Sequence, residues 1–340
     1  MPVTFLPTTA ACACTLCASL EAEIVSERDR HGALLRTVIC RSCGLVRTDP
    51  IPDAAQITAY YAREYRRSYK GAERPTARRV LRALNVARDR LERLRPHLQG
   101  RRRVLDVGAS SGEFLQVLRA AGISAAGIEP NEAYSRWGRE NLGLEIENTD
   151  WSRADFPPGR FDAITLFHVL EHLADPVGAL RQLGGWLAAG GVLAVEVPNI
   201  EGTCGSPSGR FHFAHLHHFN FVTLAAAGES AGLTITARHT SPDGGNITIV
   251  FTAGPASATS AAGTAGNYER VARALRGHST ARHCLSPRTW LRPIAKAVRH
   301  VRETAVCLRY RSAEDLARRL AGNGPADGFD RLGRQPLPAG

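Results

Sequence analysis

No stretch of this sequence stays apolar for long. Its hydrophobic runs are short and broken by glycine, proline or charge, so none approaches the roughly 20 residues that a bilayer-crossing helix needs. The amino-terminal segment also lacks the basic start that precedes a secretory hydrophobic stretch, and a cytoplasmic location is expected. Internal repeats are absent. Aromatic residues make up only 6% of the chain, which counts against a surface built of stacking platforms for nucleobases. A disulfide framework is not expected of the eight cysteines either, because reducing conditions keep thiols free and paired thiols there more often hold metal.

What is present describes a folded, soluble chain. Hydrophobic residues form 44% and charged residues 22% of 340 positions, enough for one α/β domain of ordinary size with smaller additions. The net charge is +11, and Gly254 to Gly340 alone holds 15 Lys or Arg against 6 Asp or Glu. Such a tail suits phosphate on nucleic acid, on a nucleotide-linked substrate or at a membrane surface, or else it is a solvated helical face.

Five stretches separate by pattern. Residues 1–52 hold five of the cysteines and little helical periodicity, and read as a small metal-dependent ribbon. Residues 53–100 read as a helical connector, with Val80, Leu81, Leu84, Ala87, Leu91 and Leu94 at helical spacing up to Pro96 and Gly100. In 101–253, β-rich apolar runs alternate with helical patterns, which argues for βα units and a largely parallel sheet. Strands are expected near 103–107, 124–129, 144–148, 162–167, 191–197, 233–239 and 246–252. Residues 254–267, rich in Ala, Gly, Ser and Thr, read as a linker, and 268–340 as a basic helical extension.

Cys14-Thr-Leu-Cys17 and Cys40-Arg-Ser-Cys43 are two C-x-x-C pairs. A two-residue spacer lets both thiolates of a pair face one ion, and two pairs complete a closed tetrahedral Zn²⁺ shell that serves structure rather than catalysis. Cys12 lies close enough to Cys14 to leave the register open, and a redox pair is the competing reading. Cys204, Cys284 and Cys307 are expected to be packing residues.

Arg103 to Leu115 has the form of a buried strand, a small-residue turn and the opening of a helix, which suits close approach of backbone to a ligand. About twenty residues on, a second strand ends at Glu129, where a carboxylate can accept both hydroxyls of an adenosine ribose. Dinucleotide enzymes use the same architecture, but their G-x-G-x-x-G is missing. Instead, Asp106-x-Gly108-x-Ser110-x-Gly112 resembles motif I of the class I S-adenosylmethionine (SAM)-dependent methyltransferases, with Ser110 in place of a glycine. The resemblance implies a Rossmann-like, doubly wound, seven-stranded α/β sheet behind an amino-terminal zinc ribbon and before a carboxy-terminal helical extension. It also implies SAM as cofactor, bound by Asp106, Gly108, Ser110, Gly112 and Glu129, with Asp150 and Trp151 flanking the adenine. The run from Phe161 to Pro176 resembles the fourth strand and following helix of the family, and Phe167 within it is counted with the cofactor-binding residues. Leu187 to Gly191 resembles the turn before the fifth strand. The Cys40-to-Val46 segment, Pro50 to Pro52, and Tyr60, Tyr61 and Tyr65 resemble the zinc-containing methyltransferases of sugars and related small molecules; those tyrosines either close over the cofactor or form a packing seam.

A methyl acceptor must be held in line with the sulfonium and, if it is a hydroxyl or carbon acid, lose a proton; histidine suits that task near neutral pH. His212, His215, His217 and His218 cluster after the fifth expected strand, with no carboxylate beside them in the sequence to complete a metal site. The segment resembles a His-x-x-His-Phe-Ser region of the same group. In related sugar C-methyltransferases a Tyr-Asp-Glu-His run supplies the base: here His215 keeps the base position, Ala214 replaces the acid and His212 the tyrosine, which argues against unchanged C-methylation and leaves O-methylation open. His215 ranks first as catalytic base, then His168 and His172; the other reading of each is a helix cap or hydrogen-bonded core imidazole. The expected partner is a small-molecule acceptor, a sugar or nucleotide sugar among the candidates. An RNA methyltransferase and a non-catalytic zinc-containing nucleic-acid-binding protein are the competing functions.

Overall fold

A computed structural model describes residues 12–53, 56, 74–254 and 262–321. Tyr60, Tyr61 and Tyr65 lie outside the described residues. In chain order the elements are strands β1 (Ala22–Arg28), β2 (Leu34–Cys40) and β3 (Val46–Thr48), helix α1 (Ala77–Leu98), β4 (Val104–Val107), α2 (Glu113–Ala120), β5 (Ala125–Ile128), α3 (Glu132–Leu142), β6 (Ile146–Glu147), β7 (Phe161–Phe167), α4 (Pro176–Gly185), β8 (Leu187–Pro198), β9 (His217–His218), α5 (Phe221–Ser230), β10 (Leu233–Thr240), β11 (Asn246–Ala253), α6 (Asn267–Gly277), α7 (Thr280–Leu285), α8 (Pro287–Cys307) and α9 (Ala313–Leu320).

Seven strands form one mixed sheet of order β10-β11-β8-β7-β4-β5-β6. Pairings β4–β5, β5–β6 and β7–β8 are parallel, whereas β11 runs antiparallel to β8 and β10 antiparallel to β11. Burial follows position in the sheet. Strands β7, β8 and β11 are buried along most of their length, as interior strands must be, while the edge strand β10 alternates half-buried and exposed residues with period 2 after buried Leu233.

Residues 77–98 form one helix that runs through Pro96. Thr76 caps it by accepting the amide of Arg79, and the expected apolar stripe, extended by Leu98, is its buried face.

A second sheet, of order β1-β2-β3-β9, is antiparallel throughout. Local patterning gave no sign of it, because its fourth strand is supplied by His217 and His218, paired with Arg47 and Val46. Buried Arg47 donates to Asp49, which also receives Arg36. This ion cluster fixes the strand end below the sheet. Cys204 and Cys307 are half-buried, but Cys284 is exposed on α7, so it is not the packing residue its isolation suggested.

The described chain divides into two compact units, one of residues up to 56 with 155–254 and 262–292, the other of 74–154 with 293–321. The first carries the cysteine and histidine clusters, the second the glycine-rich loop after β4.

Candidate functional site

In the first unit Cys14, Cys17, Cys40 and Cys43 converge, their sulfurs all within 4.8 Å of one another. The closest approaches are Cys14 to Cys43 at 3.6 Å and Cys17 to Cys40 at 3.5 Å. Sulfurs about 2.3 Å from a shared tetrahedral centre stand about 3.8 Å apart, so the spacing fits one zinc ion. Burial pushes the Cys17 thiol up to about 12, and a cation is what would let such sulfurs hold thiolate charge. The turn after β2 brings the second pair round by placing Gly44 at φ +74°, where a Cβ would come within 2.6 Å of Asn267. Cys12 stands outside the cluster: its amide donates to Asp49 at 3.3 Å and its carbonyl accepts from Arg47.

In the second unit, β4 and β5 lie side by side with Asp106 opposite Gly127, and the loop Gly108–Gly112 turns from β4 into α2. Three of its residues have positive φ: Gly108 at +80°, Ser110 at +52° and Gly112 at +86°. Ser110 therefore holds a left-handed conformation that a glycine would adopt without strain. Glu129 is buried at the end of β5; its Oε2 accepts the Ser110 amide and its Oε1 the Asn131 amide, each at 2.8 Å. Burial raises its pKa, with the two amides opposing. Each oxygen keeps a second lone pair, so the carboxylate that shapes the loop can also accept a ribose diol. Asn148, which sequence reasoning did not single out, donates to the carbonyls of Glu129 and Pro130 at 2.9 and 3.1 Å and ties the end of β6 to this corner. Asp150 and Trp151 follow in the loop after β6, both half-buried, with Asp150 accepting from Ser152. Phe167, by contrast, is the last residue of β7 in the first unit.

The histidines gather in the first unit around a carboxylate. Glu171, only 1% exposed, faces His168 Nδ1 at 3.3 Å, His172 Nε2 at 3.9 Å and His215 Nε2 at 3.9 Å through its Oε1, while its buried Oε2 has no hydrogen-bond partner among the described residues. His168, at φ +57°, also reaches Glu196 Oε1 of β8 at 3.5 Å. His172 Nδ1 lies 2.7 Å from the Ala214 carbonyl; donating there fixes the tautomer and leaves Nε2 its lone pair. The rings of His172 and His215 meet edge to face at 4.8 Å, and His212 lies 3.9 Å from His215. Burial, then the neighbouring imidazoles, lowers the His215 pKa, and burial lowers His212 to about 4 and His217 and His218 to about 3. The carboxylates that the sequence did not show beside the cluster thus come from Glu171 and Glu196. Glu171 stood in the Phe-His-Val-Leu-Glu-His run, where a polar residue amid apolar ones was the available signal.

This histidine loop is continuous with the cysteine module. Beyond the β3–β9 pairing, Thr15, between the ligand pair Cys14 and Cys17, lies 2.9 Å from His217 Nε2, and Thr48 donates its amide to Leu216 at 2.9 Å. Glu171, His172 and His215 also place one ligand atom each within 4.8 Å of the others, a donor set that suits a divalent cation with open positions.

Residues 77–238 match a family described as "Methyltransferase domain". Over 121 residues the chain is 36% identical to the tRNA U34 carboxymethyltransferase of Alcanivorax borkumensis, covering 33% of this chain and 37% of that protein. Over 127 residues it is 31% identical to the ubiquinone biosynthesis O-methyltransferase of Methylococcus capsulatus, covering 36% and 53%. The chain thus spans about a third to a half of the curated relatives it matches. Among solved structures, the 1,6-didemethyltoxoflavin-N1-methyltransferase of Burkholderia thailandensis, with bound S-adenosylhomocysteine, aligns with a TM-score of 0.47 and 18% identity over 69% of this chain and 99% of that one.

Proposed function

We propose, from the match of residues 77–238 to a methyltransferase-domain family, that the chain is a class I SAM-dependent methyltransferase that methylates a hydroxyl of a small-molecule acceptor, a sugar, glycan or natural product. The observation that carries this reading is the pairing of His215 with buried Glu171, whose Oε2 has no partner among the described residues. SAM supplies an already activated methyl group, held by Asp106, Gly108, Ser110, Gly112 and Glu129. The protein must then orient the acceptor and take its proton. When bound, SAM would supply the methyl group to the acceptor oxygen and leave as S-adenosylhomocysteine; His215, kept neutral by burial, would take the acceptor's proton at Nε2, and Glu171 would stabilise the resulting imidazolium. His172 and His168 orient Glu171. A zinc ion on Cys14, Cys17, Cys40 and Cys43 would hold the module against which the histidine loop is built.

Relatives bearing the name of an O-methyltransferase support oxygen as the acceptor atom, and the scarcity of aromatics weighs against RNA. The unpartnered Oε2 also favours a second reading, in which Glu171, His172 and His215 hold a divalent cation that binds the acceptor oxygen. Mass spectrometry of reactions containing SAM with nucleotide sugars, glycans and RNA tests the proposal. A gain of one methylene on a sugar or glycan hydroxyl is expected; a gain confined to RNA overturns it. Loss of turnover on chelation with the zinc still bound selects the second reading.

A further inference from the structure

Helix α8 is fastened by its polar side and presents its apolar side to solvent. Glu303, 6% exposed, takes both ends of the Arg82 guanidinium, Nε to Oε1 at 2.7 Å and Nη2 to Oε2 at 2.6 Å. Arg78, one turn before Arg82 on α1, reaches His300 at 3.2 Å and donates to Thr304, the residue after Glu303, at 2.9 Å. At 3.6 residues per turn, Trp290, Ile294, Val298 and Val301 fall together on the opposite face, with Leu291 beside them. They are 72%, 63%, 44%, 67% and 48% exposed. An amphipathic helix that packs only to shield its own chain turns these faces the other way round. A contiguous exposed row of this kind marks a contact surface.

The charge says what the surface meets. Arg292, Lys296, Arg299 and Arg302 are all exposed on this helix, while its single carboxylate, Glu303, is already matched by Arg82. A second copy of the chain laid face to face would bring like charges together. Nucleic acid would satisfy the cations but not the Trp, Ile and Val row. An anionic bilayer satisfies both, taking the apolar row into the acyl boundary and the cations among the headgroups, with a tryptophan at the level where its ring is best placed. We infer that α8 is an interfacial helix that docks this protein, lying in the plane of the surface, on an anionic lipid membrane. None of the described helices is long and apolar enough to span one, so the association is peripheral and reversible.

The test is co-sedimentation of the full chain with vesicles of phosphatidylcholine alone or mixed with phosphatidylglycerol. Binding to the mixed vesicles that weakens with salt is expected, with little on phosphatidylcholine alone. The double variant Ile294→Asp, Val301→Asp changes two exposed side chains; it should lower vesicle binding at least about tenfold while SAM titrates as in the parent, which reports an intact fold. Failure of the parent to bind the mixed vesicles, or equal binding by the variant, overturns the inference. So does a dimer in sedimentation velocity, or tight binding of transfer RNA, that the variant abolishes in place of vesicle binding. Each readout is independent of methyl transfer, so the inference stands or falls apart from the acceptor reading.

Discussion

Asn220 donates its side-chain amide to Oδ1 of Asn267 at 2.8 Å, and Asn267 in turn donates to the carbonyl of Cys43 of the four-cysteine cluster at 2.8 Å. All three residues are buried, and Asn220 also forms a capping box with Thr223 at the start of α5. One amide thus joins the end of the histidine loop to the second cysteine turn. Asn267→Ala removes one donor and one acceptor from partners that stay buried, at about 1–3 kcal/mol for each group left unmatched. We expect a loss of about 2–5 kcal/mol in urea unfolding, with SAM affinity of the folded fraction unchanged. A loss below about 0.5 kcal/mol, the level of a surface substitution, would refute the bridge.

The same continuity predicts what metal loss does. Because β9 pairs with β3 and Thr15 lies against His217, disordering the cysteine turns frees the loop that carries His215. The loop of Gly108–Gly112 and Glu129 belongs to the other unit, where Glu129 accepts the Ser110 amide. Cys40→Ala, or chelation strong enough to strip the zinc, should abolish methyl transfer while calorimetry still detects SAM binding. Retained turnover in zinc-free protein, by metal analysis, would contradict this.

How much of this was legible beforehand follows from the range of the interactions. The seven strands of the main sheet are written in local apolar runs, and the stripe from Val80 to Leu94 spelled out α1. Asp106, the glycine turn and Glu129 are legible because β4, its turn and β5 are consecutive in the chain. The second sheet was not, since Val46 finds His218 172 positions further along the chain and no period in either segment records that. Glu171 escaped for a related reason: its burial depends on histidines from the loop after β8, and in its own segment it looks like one polar position of a helix. Asn267 closed an unremarkable linker until the fold set it against Cys43.

Glu129 is the next test, because it does two jobs. As the proposed ribose acceptor and the observed partner of the Ser110 and Asn131 amides, it holds the loop in the left-handed turn at Ser110. Glu129→Ala should weaken SAM binding by about 10- to 100-fold in calorimetry, the value of one or two charge-assisted hydrogen bonds. Glu132→Ala, three residues on with a largely exposed side chain, is the control and should change nothing.

Acid should destabilise the chain through its buried imidazoles. His212 stays neutral in the fold down to about 4, and His217 and His218 down to about 3, all through burial. In the unfolded chain each binds its proton near pH 6.5. The unfolded state therefore takes up more protons as pH falls from about 6.5 towards 4, and stability present above that window is lost within it, at about 1.4 kcal/mol per pH unit for each histidine. Urea unfolding between pH 7.5 and 5 should show the steepening. His218→Leu should flatten the slope by about one proton's worth, about 1.4 kcal/mol per pH unit; an unaltered slope would mean that His218 is not held neutral.

The proton acceptor itself is tested by separating His215 from Glu171. His215→Asn removes the imidazole, and if His215 takes the acceptor's proton, kcat should fall about 10²- to 10⁴-fold, the usual worth of a positioned base, with SAM affinity unchanged. Glu171→Gln keeps the shape but removes the charge that faces His215 at 3.9 Å, so an imidazolium formed in the reaction loses its stabiliser. Its kcat should also fall, by a smaller factor, and the acid limb of the rate profile should move to a different pH, which a merely structural glutamate would not produce. The double variant decides whether the two act as one unit. If they do, its rate will match that of His215→Asn alone rather than the product of the two losses, because a carboxylate with no imidazolium to stabilise has no further step to assist.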